Sequence, residues 1–283
     1  MTHERLYRVT SIGRPLDPSY RTNLAVLMLM PAAATIAAVV AAVRGDGLGA
    51  IAAQALVGPV TAFGAWALAR ELAPDDNPAA FISMALAFAA SLTADSPSLL
   101  LLFATLGMVR IVNRTVGPPA RLTDSVAVLG LVLATAWITQ SPVLPVVGAV
   151  AFALDASLEH GVRRQLALAV LALAGAAVAV RVLDPAAANH AIPVGLGASV
   201  GAVSVGFGIA IARTRRVRSL ADVTGQPLSV NRVRAGMFIG LLVAAQAVLR
   251  GTEGLALSAL VWATLAAVAV REVGGAVRWK VGK

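Results

Sequence analysis

Long apolar runs recur along the chain, each closed by a short cluster of Arg, Asp, Glu, Gly or Pro. Ten can be marked: Asn23–Val43, Leu48–Ala69, Ala79–Leu92, Pro97–Val112, Ser125–Thr139, Pro142–Leu158, Gln165–Leu183, Val194–Ala212, Ala235–Leu249 and Gly254–Val270. A helix crosses the ~30 Å hydrocarbon core of a bilayer in about 20 residues. The pattern predicts an all-α, polytopic integral membrane helical bundle of about ten transmembrane helices. The third to sixth runs are short for a full crossing, so they must tilt little or sit where the layer is thinned. Three parts follow: an arm over 1–22, one transmembrane domain over 23–270 and a basic tail over 271–283. The first run begins only after the polar stretch Met1–Thr22, which predicts a retained span rather than a cleaved leader.

Composition supports lipid as the solvent. The chain is 58% hydrophobic and 13% charged, whereas soluble domains carry about 25% charged residues. With no Cys, thiolate metal sites, disulfides and Cys nucleophiles are excluded. The net charge of +9 sits beside apolar runs. That placement fits the positive-inside rule and predicts no nucleic-acid partner.

Charge also orients the bundle. When the ten runs alternate in direction, only Arg44, Arg181 and Arg250 of the 23 Lys and Arg fall on one side. The excess on the other side predicts a cell-membrane protein with both termini cytoplasmic. Gly197 and Gly201, Ser204 and Gly208, and Gly236 and Gly240 each lie four apart, which predicts close helix contacts. Ser96–Arg114 and Ser141–Glu159 align without gaps, both opening on Ser-Pro.

The candidate chemistry gathers on the basic side. At about 1.5 Å per residue, Arg110 and Asp155 reach the same depth, about 10 Å short of the boundary. Arg114 and Glu159 follow one turn later. Glu71 and Asp75 end the second run, and Asp124 opens the fifth. These seven residues predict a recessed vestibule that binds substrate: Glu71, Asp75, Arg110, Arg114, Asp124, Asp155 and Glu159. Salt bridges Arg110–Asp155 and Arg114–Glu159 that only fix register would use the same residues. A metal, if one binds, would be held by Glu71, Asp75, Asp155 and Glu159, with Mg²⁺ the suited ion where a phosphate substrate joins it. The Arg residues suit phosphate or carboxylate. His3, His160 and His190 are too far apart in the topology to form a metal site.

Glu71-x-x-x-Asp75-Asp76 and Asp155-x-x-x-Glu159 end the second and sixth runs. This layout resembles the UbiA superfamily of membrane prenyltransferases, which carry Asp-rich motifs at those helix ends. The resemblance covers only these two stretches, and the family's Asn-Asp start is missing. It implies a membrane transferase acting on a lipid-linked phosphate or diphosphate, with Mg²⁺. The ten helices, cytoplasmic termini and chain length are similar to those of the drug/metabolite transporter superfamily, whose Glu-Pro pattern is absent. The leading expectation is a small permease-like protein with membrane lipids around it and a small solute as substrate. The transferase and a non-catalytic membrane scaffold are the alternatives.

Overall fold

A computed structural model describes residues 7, 9–93, 97–183 and 191–281. Asp95, Asp184 and His190 of the far side, and His3, lie outside the described residues. All regular elements among the described residues are helical, apart from one isolated bridge between Leu220 and Pro227. The helices are α1 (Arg21–Val43), α2 (Leu48–Leu72), α3 (Asn77–Thr93), α4 (Leu99–Asn113), α5 (Leu122–Ile138), α6 (Leu144–Ser157), α7 (Arg164–Val182), α8 (Val194–Arg213), α9 (Val230–Val248), α10 (Gly251–Leu257) and α11 (Ala259–Val281).

Each apolar run contains a helix, but the last one breaks. α10 and α11 meet at 74°. The break is stabilised locally: Ser258 donates its hydroxyl to Gly254 O, and Ser98 N donates to Leu257 O. Among the described residues four helices are long and apolar enough to cross a membrane, namely α1, α2, α7 and α8. Counting α10 and α11 as one bent unit makes five. α3 to α6 are apolar but shorter, at 17, 15, 17 and 14 residues. They rise only about 20–26 Å. The matched Ser-Pro segments do form equivalent helices, since α4 and α6 begin three residues after Ser96 and Ser141.

α4 is the axis of the bundle. Its residues from Leu101 to Asn113 are buried almost without exception, and it packs against α2, α5, α6 and α9. α11 packs on α3, α8 and α2. α1 and α8 lie outside, with most of their apolar residues exposed or half-exposed. Such faces suit lipid, where an exposed apolar side chain costs nothing.

The small-residue expectation divides. On α9, a Cβ at Gly236 would lie 1.9 Å from Asn113 Oδ1, and one at Gly240 would lie 3.3 Å from Leu72. Those two positions are real close contacts. On α8, Gly201 and Gly208 face open space, and Gly206 makes the contact instead, at 3.0 Å from Ala269. The four-residue spacing marked the wrong face of α8, because composition alone produces such pairs in a chain with 25 Gly.

Candidate functional site

The predicted site residues lie at the charged ends of α2, α4, α5 and α6. Their carboxylates divide among separate networks.

Glu71, in the last turn of α2, is fully buried. Arg110 Nε donates to its Oε1 at 3.1 Å and Thr115 Oγ1 donates to its Oε2 at 2.7 Å. A further donor comes from outside the bundle. Arg14, in the N-terminal arm, reaches Glu71 Oε1 at 3.3 Å through Nη1. Its other nitrogens make a bidentate pair with Asp222, at 2.6 and 2.8 Å. Burial works against the Arg14 charge, but Glu71 and Asp222 outweigh it and hold the guanidinium more firmly protonated than usual. The arm is anchored nearby. Ser11 donates its N–H and its hydroxyl to Asp124 Oδ2, at 2.7 and 2.5 Å. Arg110 Nη1 donates to Ile12 O at 3.2 Å.

Asp155 belongs to a second network and is also fully buried. Its Oδ1 accepts from Arg114 Nε and from Arg232 Nη1, each at 2.8 Å, and its Oδ2 accepts from Gln165 Nε2 at 3.1 Å. Asp155 therefore carries two arginines. Sequence depth alone pairs Arg110 with Asp155 and Arg114 with Glu159. The structure instead pairs Arg110 with Glu71 and Arg114 with Asp155. The reason is local. α4 ends at Asn113, and Arg114 turns into the left-handed region at φ 53°, which takes its side chain off the helical face that the spacing assumes. Arg114 Nη1 then donates to the carbonyl of His160, itself at φ 56°. Such backbone states cost about 1–3 kcal/mol and persist where the surroundings hold them.

Asp75 and Glu159 are staples for loops. Asp75 accepts from the N–H groups of Arg218 and Ser219, each at 2.8 Å, and from the Ser219 hydroxyl at 2.7 Å. Burial pushes its carboxyl up, but these hydrogen bonds prevail and hold it below the ordinary value. Glu159 accepts from Asn231 at 2.6 Å and from Ser229 at 3.2 Å. The Asn231 bond leads in holding its carboxyl low.

The loop between α8 and α9 completes the charged end. Asp222 N donates to Thr115 O and Val223 N to Val116 O, so the loop lies on the α4–α5 connection. Gly117 makes this possible. It has φ 113°, and a Cβ there would lie 2.7 Å from Thr224 Oγ1. A cavity of about 210 Å³ between the ends of α2, α8, α9 and α11 contains Asp75, Asp76, Arg213 and Glu272 on its walls. Arg213 pairs with Glu272, and Asp76 with Arg271.

Ser11, Arg14, Gln165, Asp222 and Arg232 were not singled out as site residues by sequence reasoning. Asp222 carries a signal, as the lone acid in a loop that follows Arg213 and holds Arg215, Arg216 and Arg218. Arg232 reads only as a topology charge until α9 is seen to start at Val230 and bury it. No three His, Asp or Glu side chains converge to hold an ion among the described residues. Glu71, Asp75, Asp155 and Glu159 each face donors from the chain itself. Comparison with protein-family models, curated proteins and solved structures yields no match.

Proposed function

We propose that the protein is a small membrane permease of ten crossings with both termini cytoplasmic, and that the Glu71–Arg110–Asp222 cluster is its inner mouth. One observation carries this reading. The mouth is closed by Arg14, a residue of the arm rather than of a helix, seated on a fully buried carboxylate. If Arg14 swung away while Ser11 stayed on Asp124, Glu71 would keep Arg110 and Thr115 as donors, so opening would leave Glu71 paired. A solute would meet Glu71 and Asp222 in place of Arg14. The broken α10–α11 unit supports the same reading, since discontinuous helices are frequent at transporter sites. So do polar pairs buried in the apolar interior, such as Ser83 with Thr264 and Ser141 with Gln246.

A scaffold is the second reading, and Asp155 favours it. That carboxylate is enclosed by two buried arginines and has the geometry of a structural tie. The transferase reading draws less support, because its four acids do not face a common point.

The chain has no Cys, so an introduced thiol is unique. Single cysteines at Thr61, Ser83 and Thr264 in reconstituted vesicles, probed with a membrane-impermeant maleimide, test the reading. A permease gives labelling from both sides at one or more of these positions, faster when Arg14→Ala removes the closure. Absence of labelling in both backgrounds, with the protein folded, rejects transport and leaves the scaffold.

A further inference from the structure

A second cavity adjoins the mouth, sharing Arg110 with it, and what fills it is independent of the transport reading. It has a volume of about 260 Å³ and is lined by Ile12, Phe103, Leu106, Gly107, Arg110, Ala127, Val128 and Leu131. Phe103, Leu106, Gly107 and Arg110 are spaced i, i+3, i+4, i+7, so they form one face of α4. Ala127, Val128 and Leu131 form the facing stripe of α5. The groove therefore follows α4 for about 10 Å. All of its lining side chains are apolar but one. At one end Arg110 gives Nε to Glu71 and Nη1 to Ile12 O, and Nη2 has no hydrogen bond among the described residues. Ala127 is exposed, and so is its neighbour Val126. The groove thus opens on a face of α5 that presents apolar residues outward. Gly107 keeps it open, since Val128 Cγ2 stands 3.0 Å from where a Cβ would be.

We infer that this groove is a binding site for an anionic phospholipid. One acyl chain would lie between α4 and α5, and the phosphate would meet Arg110 Nη2. Charge complementarity selects this occupant. An apolar slot in a membrane takes any acyl chain, but a guanidinium at its polar end discriminates for phosphate, as basic pockets between transmembrane helices do. A second cation, Arg121, stands at the N-cap of α5, about 9 Å along the helix from Ala127. Glu71 and Ile12 hold two of the three Arg110 nitrogens, which fixes the direction of the third.

The test is native mass spectrometry of the protein taken from vesicles holding phosphatidylglycerol and phosphatidylcholine in equal amounts. The wild-type protein should retain phosphatidylglycerol in preference to phosphatidylcholine. Arg110→Gln should lower that preference by about tenfold, the size of one charge-assisted hydrogen bond. Because Arg110→Gln also disturbs Glu71, Ala127→Phe provides the independent arm. It fills the groove, leaves every ion pair intact and should lower retention of phosphatidylglycerol equally. Val126→Phe, one residue away and outside the groove, should leave retention unchanged. Equal retention of both lipids by the wild type overturns the inference, as does full retention by Ala127→Phe. Thermal stabilisation by inorganic phosphate that matches that of phosphatidylglycerol, with no lipid retained, also overturns it.

Discussion

Asp155→Asn should be among the most damaging single changes at the charged end. The replacement keeps the shape and one acceptor oxygen but removes the charge that two guanidinium groups share. Arg114 and Arg232 have side chains only 6% and 5% exposed. Each retains backbone acceptors. Arg114 keeps His160 O, and Arg232 keeps Val112 O and Glu159 O. The hydrogen bonds are thus partly insured, and the electrostatic loss dominates. Breaking a buried pair by removing one partner costs about 3–5 kcal/mol, because an uncompensated charge is left behind. Here two cations lose one anion, so the upper half of that range applies. At about 2–4 °C per kcal/mol for a chain of this size class, the thermal midpoint in detergent should fall by roughly 10 °C. Arg232→Gln should cost less, because Asp155 keeps Arg114 at 2.8 Å. Replacing all three residues together with Leu, Met and Met should recover much of the loss, as apolar substitution of a buried triad can. Fluorescence-monitored unfolding of the four proteins gives the ranking. If Asp155→Asn unfolds within about 2 °C of wild type, or if Arg232→Gln is the worse of the two, the shared-anion account is wrong.

Three further outcomes follow from the same geometry. Gly236→Ala should destabilise by about 1–3 kcal/mol through overpacking, because its Cβ would displace Asn113 from Glu71 O; Gly201→Ala, which meets open space, should be neutral or stabilise by up to about 1 kcal/mol, and unfolding midpoints of the pair decide this. The Asp75 carboxyl is held below its ordinary value of 3.8, so its contribution to docking the α8–α9 loop is complete above that value and is lost as pH falls through the lower folded value. Hydrogen exchange at the Arg218 and Ser219 amides should therefore stay slow at pH 5 and rise only under stronger acid, and Asp75→Asn should weaken protection at every pH. Asp124→Asn should loosen the arm, since Ser11 loses a charged acceptor, and limited proteolysis before Asp17 should quicken while the helical core stays intact.

The helices were legible because lipid imposes a coarse rule: a long apolar run must satisfy its own backbone. Every marked run contains a helix, and α8 was marked to within a residue at each end. What failed to show was where runs break. At the bend beside Ser258, Ser98 N reaches Leu257 O from the N-cap of α4, a contact that hydropathy does not encode. The site divides in the same way. Glu71, Arg110, Arg114 and Asp155 were visible because isolated charges in apolar sequence are few and costly. Their partners were not, for two reasons. Helical spacing assumes the helix continues, and Arg114 lies just where α4 stops and the chain turns left-handed. The partners that complete the networks come from segments that look like solvated linkers: the donors Arg14 and Ser11 from the arm, and the acceptor Asp222 from a basic loop. A carboxylate that must be buried next to lipid draws its countercharge from whatever chain can reach it, so the weakest sequence signals can end up beside the most constrained residues. Single-residue cost identifies the buried half of such a pair, and only the folded chain identifies the other half.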